Sequence, residues 1–223
     1  MASILSGLHH VTSFAGAPAG NVAFHRDVLG LGLVKRTVNF DDPGTLHLYF
    51  GDATGTPGTI FTSFPSPRHA RGKGGTPEIA SILVEGDAAA MARWRGVEGA
   101  EEIESGVVLR DDDGIAYRCR EGEATRLAGV GVRVPDASET SRFLIEVLGF
   151  GAGSVHHVAW RVPDAAAPAR VAAALRDAGI AATPVRDRVY FRSIYFRIPG
   201  GVLFEVATDG PGFAVDEPEG SLG

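Results

Sequence analysis

The sequence predicts an α+β fold built from tandem βαβββ modules, and three observations carry that prediction. His-His-Val stands twice on strand-like segments, in Leu8-His9-His10-Val11-Thr12-Ser13-Phe14 and in Ser154-Val155-His156-His157-Val158-Ala159-Trp160. Val-Pro-Asp also stands twice, at 134–136 and 162–164. Opening strands are followed by one helical pattern and then by short alternating segments, and recurrence of this kind marks a repeated structural unit.

Module 1 (residues 1–66) opens with the first His-His strand. A helix follows over Ala19–Leu29, with Val22, Phe24, Val28 and Leu29 as its apolar side, and Gly30-Leu31-Gly32 ends it. Strands over Leu33–Phe40, Thr45–Gly51 and Thr59–Phe64 complete the unit. Pro65–Gly75, rich in Pro, Gly, Arg and Lys, reads as a linker or flap. Module 2 (76–126) starts near Glu78–Val84 and continues with a helix over Ala88–Trp94 and short strands through Val107–Arg110 and Ile115–Arg120. Module 3 (127–153) opens at Gly129–Asp136 and has a helix over Glu139–Leu148. It is truncated, because Gly149-Phe150-Gly151 runs almost directly into the second His-His strand. That strand begins module 4 (154–213), which adds a helix over Ala167–Ala178 and strands at Arg188–Tyr190, Ser193–Ile198 and Val202–Thr208.

A chain of 223 residues can bury an adequate core, and 44% hydrophobic with 22% charged residues is ordinary globular composition. The net charge of −6 argues against nucleic acid or an anionic membrane as partner. No apolar run approaches the roughly 20 residues of a membrane helix. The N-terminus lacks the basic start and apolar core of a signal peptide. A single cysteine, Cys119, excludes an internal disulfide and fits a reducing cytoplasm. It reads as a small core residue.

Side chains two apart on a strand share a face, so His157 points the same way as Val155 and Ala159, and His156 points oppositely or towards a strand edge. Glu205 sits between Phe204 and Val206, where an unpaired carboxylate would be costly. These residues read as a metal site in which His10, His157 and Glu205 converge. Two histidines and one carboxylate suit non-haem Fe(II) and leave positions open for substrate and dioxygen. Aligning the last strands of modules 1 and 4 puts Thr62 where a second glutamate would stand. Aligning modules 3 and 4 on Val-Pro-Asp puts Gly129 at the place of His157. Module 2 has no histidine in its first strand, and Arg118 lies near the place of Glu205. The ligands therefore come from modules 1 and 4 alone. Three plainer readings compete: histidines that only fill a core, Glu205 paired with Arg188 or Arg197, and exchange of ligand and neighbour within a His-His pair. His47 alternates with apolar residues and is a minor pocket candidate. His25 and His69 read as surface residues, and Asp41-Asp42-Pro43 reads as a turn.

Paired βαβββ units with an inward His on the first strand and Glu on the last resemble the vicinal oxygen chelate superfamily. The strings Lys35–Pro43, His47–Asp52, Pro57–Thr62, Tyr195–Arg197 and Pro199–Asp209 narrow the resemblance to ring-cleaving dioxygenases acting on hydroquinones. The match is dense in modules 1 and 4 and loose in modules 2 and 3. It implies that modules 1 and 4 form one complete metal-bearing barrel and that modules 2 and 3 form a reduced one. It implies Fe(II), with Mn(II) as second choice, held by His10, His157 and Glu205. His9, His156, Arg188 and Tyr195 would surround a small aromatic para-diphenol, and both atoms of O2 would enter the ring-opened product. Family members are longer after the third helix, so the reduced barrel would leave open sheet edges, to be covered either by a rearranged module 2 or by a second subunit in a homodimer. Two other functions are weighed. A glyoxalase-type lyase or transferase usually has four protein ligands, against which Thr62 counts. A non-catalytic binding protein of the same superfamily would not need the triad.

Overall fold

The computed structural model describes residues 5–67, 78–146 and 159–218. Alternating apolar and polar residues build thirteen strands among these residues. The first module contains β1 (Leu8–Ala15), α1 (Pro18–Ala23), β2 (Gly32–Asn39), β3 (Asp42–Gly51) and β4 (Ile60–Pro65). Pro18 starts α1, where its missing N–H costs nothing. The helix runs on as a π-helical turn over Phe24–Leu29, and Gly30 ends it in the left-handed region.

Next come β5 (Glu78–Gly86), α2 (Ala88–Arg95), β6 (Glu101–Ile103), β7 (Gly106–Arg110), β8 (Ala116–Glu121) and β9 (Arg126–Arg133). Asp87 caps α2 by accepting from Ala90 N at 2.8 Å. α3 (Ala137–Glu146) follows. The last part has β10 (Ala159–Val162), α4 (Ala167–Asp177), β11 (Arg186–Asp187), β12 (Phe191–Arg197) and β13 (Leu203–Pro211).

These strands form two sheets. One has eight strands in the order β11-β12-β13-β10-β1-β4-β3-β2, and the other has five in the order β6-β7-β8-β5-β9. The large sheet repeats itself about its middle. β1 runs parallel to β4, and β10 runs parallel to β13; each parallel pair is extended by antiparallel neighbours. β1 and β10 join the halves as an antiparallel pair. The first and last repeats therefore share one sheet, and the register makes the pair Thr12–Thr62 equivalent to the pair Ala159–Glu205.

Phe50, Phe61, Phe204, Trp94, Tyr117 and Ile194 are fully buried in a core common to both sheets. Trp94 of α2 donates Nε1–H to Val28 O at 2.9 Å, which fixes the second module's helix against the first module. No helix among the described residues is long and apolar enough to cross a membrane.

Two expectations need correction. Arg188–Tyr190 is a tight turn, not a strand: Val189 has φ of 66° and Tyr190 N donates to Arg188 O at 2.7 Å. A β-branched residue with positive φ cannot continue a ladder. His25 is fully buried, not on the surface: its ring stacks on Phe50 with centroids 4.4 Å apart, and Nδ1 bonds Asn21 O at 2.8 Å. The short strand β6 lies ahead of the strands expected through Val107–Arg110 and Ile115–Arg120. His69, His156 and His157 lie outside the described residues.

Candidate active site

β1 and β13 bring His10 and Glu205 together. Both are buried, and His10 Nε2 lies 3.2 Å from Glu205 Oε2. Burial pushes the Glu205 carboxyl up, but its interaction with the adjacent His10 outweighs this and holds the group at about 2. Glu205 therefore meets His10, and neither of the arginines the sequence offered as partners. Arg197 donates to Gly201 O at 2.7 Å instead.

The tautomers at this site are set from behind. His9 Nε2 lies 3.1 Å from Thr208 O, an acceptor only, so this nitrogen carries the hydrogen. Burial, and after it the neighbouring His10, depress the His9 imidazole to about 3, so it is neutral and its Nδ1 is bare. His10 Nδ1 lies 3.0 Å from that bare nitrogen and must donate to it. The Nε2 lone pair of a neutral His10 is then directed at a carboxylate oxygen. Two acceptors at 3.2 Å repel each other unless a cation lies between them or the ring takes a second proton. Glu205 Oε1 is also buried without a hydrogen-bond partner among the described residues. These donors fit a metal ion: an imidazole whose far N–H is anchored, and a carboxylate with an open oxygen. Among the described residues no group of three or more His, Cys, Asp or Glu forms a site.

Beside this pair opens a pocket of about 250 Å3. Phe14, Phe40, Phe64, Phe191 and Leu203 supply its apolar lining. An engineered 150 Å3 apolar cavity accepts benzene, and drug-sized ligands take 300–1,000 Å3, so this volume suits a single substituted ring.

Tyr195 stands across the β12–β13 ladder from Glu205 and lines the pocket. Burial drives its phenol far upward, so it stays protonated. Arg188 Nε donates to Tyr195 Oη at 3.2 Å and its guanidinium lies 5.2 Å from the Tyr195 ring centroid. Arg188 Nη2 also donates to Asp41 Oδ2 at 2.9 Å, and Arg186 Nη1 donates to Asp41 Oδ1 at 3.1 Å. Asp41, read from sequence as part of a turn, is thus the anchor of the pocket arginine. No local pattern could reveal a partner 147 residues away.

The structure brings His10, Glu205, Tyr195 and Arg188 to one pocket. His9 stands behind His10 and packs on Phe191, with centroids 5.1 Å apart. Thr62, at the equivalent place to Glu205, bonds His47 at 3.1 Å and Thr12 at 3.0 Å. His47 and Tyr49 also line the pocket. Alternation on β3 was the signal for His47; Tyr49 was missed, although it lies two residues further on the same face.

Residues 7–206 match the Glyoxalase/Bleomycin resistance protein/Dioxygenase superfamily. MhqO of Bacillus subtilis (strain 168), named provisionally as a ring-cleaving dioxygenase, is 34% identical over 283 aligned positions that cover 100% of this chain and 91% of that protein. With 283 aligned positions against 223 residues here, MhqO has at least 60 positions without a counterpart in this chain. The chlorohydroquinone/hydroquinone 1,2-dioxygenase of Sphingobium indicum is 28% identical, over 98% of this chain and 90% of that protein. A crystal structure from Bacillus subtilis subsp. subtilis str. 168, titled provisionally as a dioxygenase, matches with TM-score 0.89 at 33% identity, over 99% of this chain and 91% of that one.

Proposed function

This chain belongs to the Glyoxalase/Bleomycin resistance protein/Dioxygenase superfamily, and from that premise we propose that it is a ring-cleaving dioxygenase acting on a hydroquinone or related para-diphenol. The observation that carries the proposal is the meeting of His10 Nε2 and Glu205 Oε2 at 3.2 Å, with the His10 tautomer fixed through His9. The names of the relatives support the same chemistry.

The metal is Fe(II), with Mn(II) as second choice, and its ligands are His10, His157 and Glu205. The equivalence of Thr12–Thr62 with Ala159–Glu205 supports His157 as the third, because His10 precedes Thr12 by two residues and His157 precedes Ala159 by two. When bound, such a metal supplies the redox centre through which an electron-rich phenol and dioxygen exchange electrons.

The protein's own groups do the rest. The phenylalanine walls hold the ring and exclude water from it. Arg188 and the Tyr195 phenol present donors to developing negative charge on oxygen. Asp41 holds Arg188 in place, and His9 holds the His10 ring. His156 would act from module 4 as His9 does from module 1. On this reading the eight-stranded sheet, from modules 1–66 and 154–213, is the complete metal-bearing barrel. The five-stranded sheet, from modules 76–126 and 127–153, is the reduced one, and a second copy of the chain covers its edges. A glyoxalase-type site with a fourth ligand at position 62 is disfavoured, since the Thr62 hydroxyl is engaged by His47 and Thr12.

The test is anaerobic loading with Fe(II), addition of hydroquinone, and oxygen uptake under labelled O2. The expected result is equimolar consumption and a ring-opened product carrying both labelled atoms. Iron-loaded protein that consumes no oxygen with hydroquinone or its ring-substituted analogues would overturn the proposal.

A further inference from the structure

The pocket wall carries a second polar chain, and its hydrogens run in one direction. Tyr49 Oη lies 2.9 Å from His47 Nδ1, His47 Nε2 lies 3.1 Å from Thr62 Oγ1, and the Thr62 hydroxyl donates to Thr12 Oγ1 at 3.0 Å. A hydroxyl has one proton to give. Thr62 gives its proton to Thr12, so towards His47 it can only accept, and His47 Nε2 must carry the hydrogen. The neutral ring then has a bare Nδ1, which accepts from Tyr49. Burial, and after it the neighbouring His10, hold the imidazole neutral, at about 3. The ring is gripped between Tyr49 and Phe64, with centroids 4.1 and 4.3 Å away. Each link fixes the next, and the last proton in the line is that of Thr12.

Thr12 lines the pocket and lies two residues beyond His10 on the same face of β1. That spacing corresponds to about 6.6 Å along the strand. A ring held by one oxygen near His10 would turn its opposite oxygen towards Thr12.

We propose that His47 is a positioning residue: its Nε2–H tautomer, matched by the Tyr49 hydroxyl at Nδ1, holds the Thr62 and Thr12 hydroxyls so that Thr12 O–H is presented to the distal oxygen of the bound para-diphenol. The inference deepens the function proposed above and rests on it for the class of ligand. Its consequence is selectivity: the chain of four groups recognises the second oxygen and rejects a ring that lacks it, because a monophenol would leave the aligned donor unpaired.

The tautomer is read by nitrogen NMR on the metal-free chain labelled at histidine, where His47 is expected with bare Nδ1 and protonated Nε2. The reverse tautomer would overturn the proposal. Selectivity is read by anaerobic calorimetry on the Fe(II)-loaded chain, with hydroquinone and phenol as probes. Wild type is expected to prefer hydroquinone. His47→Leu should lower that preference about tenfold, the ordinary worth of one hydrogen bond, with phenol affinity kept. His47→Gln, whose amide N–H can still donate to Thr62, should restore most of it. A preference unchanged in His47→Leu overturns the role of His47 and leaves the para-diphenol reading standing. A wild type that does not prefer hydroquinone over phenol overturns that reading and this inference together. Thr12→Val, which leaves the buried ring in place, gives the same comparison if His47→Leu does not fold.

Discussion

Thr62 and Glu205 hold equivalent places in the two halves of one sheet, Thr62 across the β1–β4 ladder from Thr12 and Glu205 across the β10–β13 ladder from Ala159. One half offers a carboxylate with an open oxygen, and the other offers a hydroxyl already committed to two neighbours. The asymmetry has a direct consequence. Thr62→Glu adds a fourth donor, the second carboxylate, at the equivalent place and breaks the His47–Thr12 connection. It should tighten Zn(II) binding about tenfold or more while oxygen uptake with hydroquinone falls by a similar factor. Competition with a chelating dye measures the first and an oxygen electrode the second. Unchanged Zn(II) affinity would mean that position 62 is not turned towards the metal.

Asp41 accepts from both Arg186 and Arg188. Its side chain is more than half exposed, so the ion pairs add at most about 1 kcal/mol to stability. Asp41→Asn should leave the melting temperature within about 2 °C yet lower turnover of hydroquinone about tenfold, because Arg188 loses its anchor. Equal turnover at equal stability would remove Asp41 from the account.

His25 gives the fold an acid sensitivity with a defined sign. Burial depresses its imidazole from 6.5 to about 4, so the unfolded chain takes up a proton there that the folded chain resists. Stability from this group is complete above the unfolded value and is lost as pH falls from about 6.5 towards 4. By about pH 4.5 the loss is on the order of 2–3 kcal/mol. Urea unfolding of wild type and His25→Leu at about pH 7.5 and 4.5 should show a shallower acid loss in the variant. Parallel losses would show that His25 titrates normally.

Val189 sits at φ of 66° in the turn that delivers Arg188 to the pocket. The neighbouring Tyr190 is buried, 4.9 Å from the Phe213 ring, and its hydroxyl donates to Asp216 Oδ2 at 3.1 Å. These contacts hold a conformation that a β-branched residue avoids. Val189→Gly should relieve strain at some entropic cost, for a net gain of about 1 kcal/mol and a rise of about 2–4 °C in melting temperature. A lower melting temperature would mean that Val189 packing outweighs its backbone strain.

The sequence carried much of this. Strand alternation and the His-His-Val and Val-Pro-Asp repeats located most strands and all four helices to within a few residues, because period and punctuation are local properties. His10 and Glu205 were legible as a pair, since each is a polar group at an apolar position and the repeats fix their register. Asp41, Tyr49 and the burial of His25 were not legible. Asp41 gains its role from an arginine on a distant turn, and His25 from the rings of Phe50 and Phe61 brought over it by β3 and β4. The turn at Val189 was mistaken for a strand because valine between arginine and tyrosine has the composition of one.

His10, His157 and Glu205 are proposed to hold one metal ion. Anaerobic equilibrium titration with Fe(II) tests it most directly, on wild type and on His10→Ala, His156→Ala, His157→Ala and Glu205→Ala. One tightly held Fe(II) per wild-type chain is expected, retained in His156→Ala and lost in the other three. Iron binding that survives His157→Ala or Glu205→Ala at wild-type affinity would contradict it.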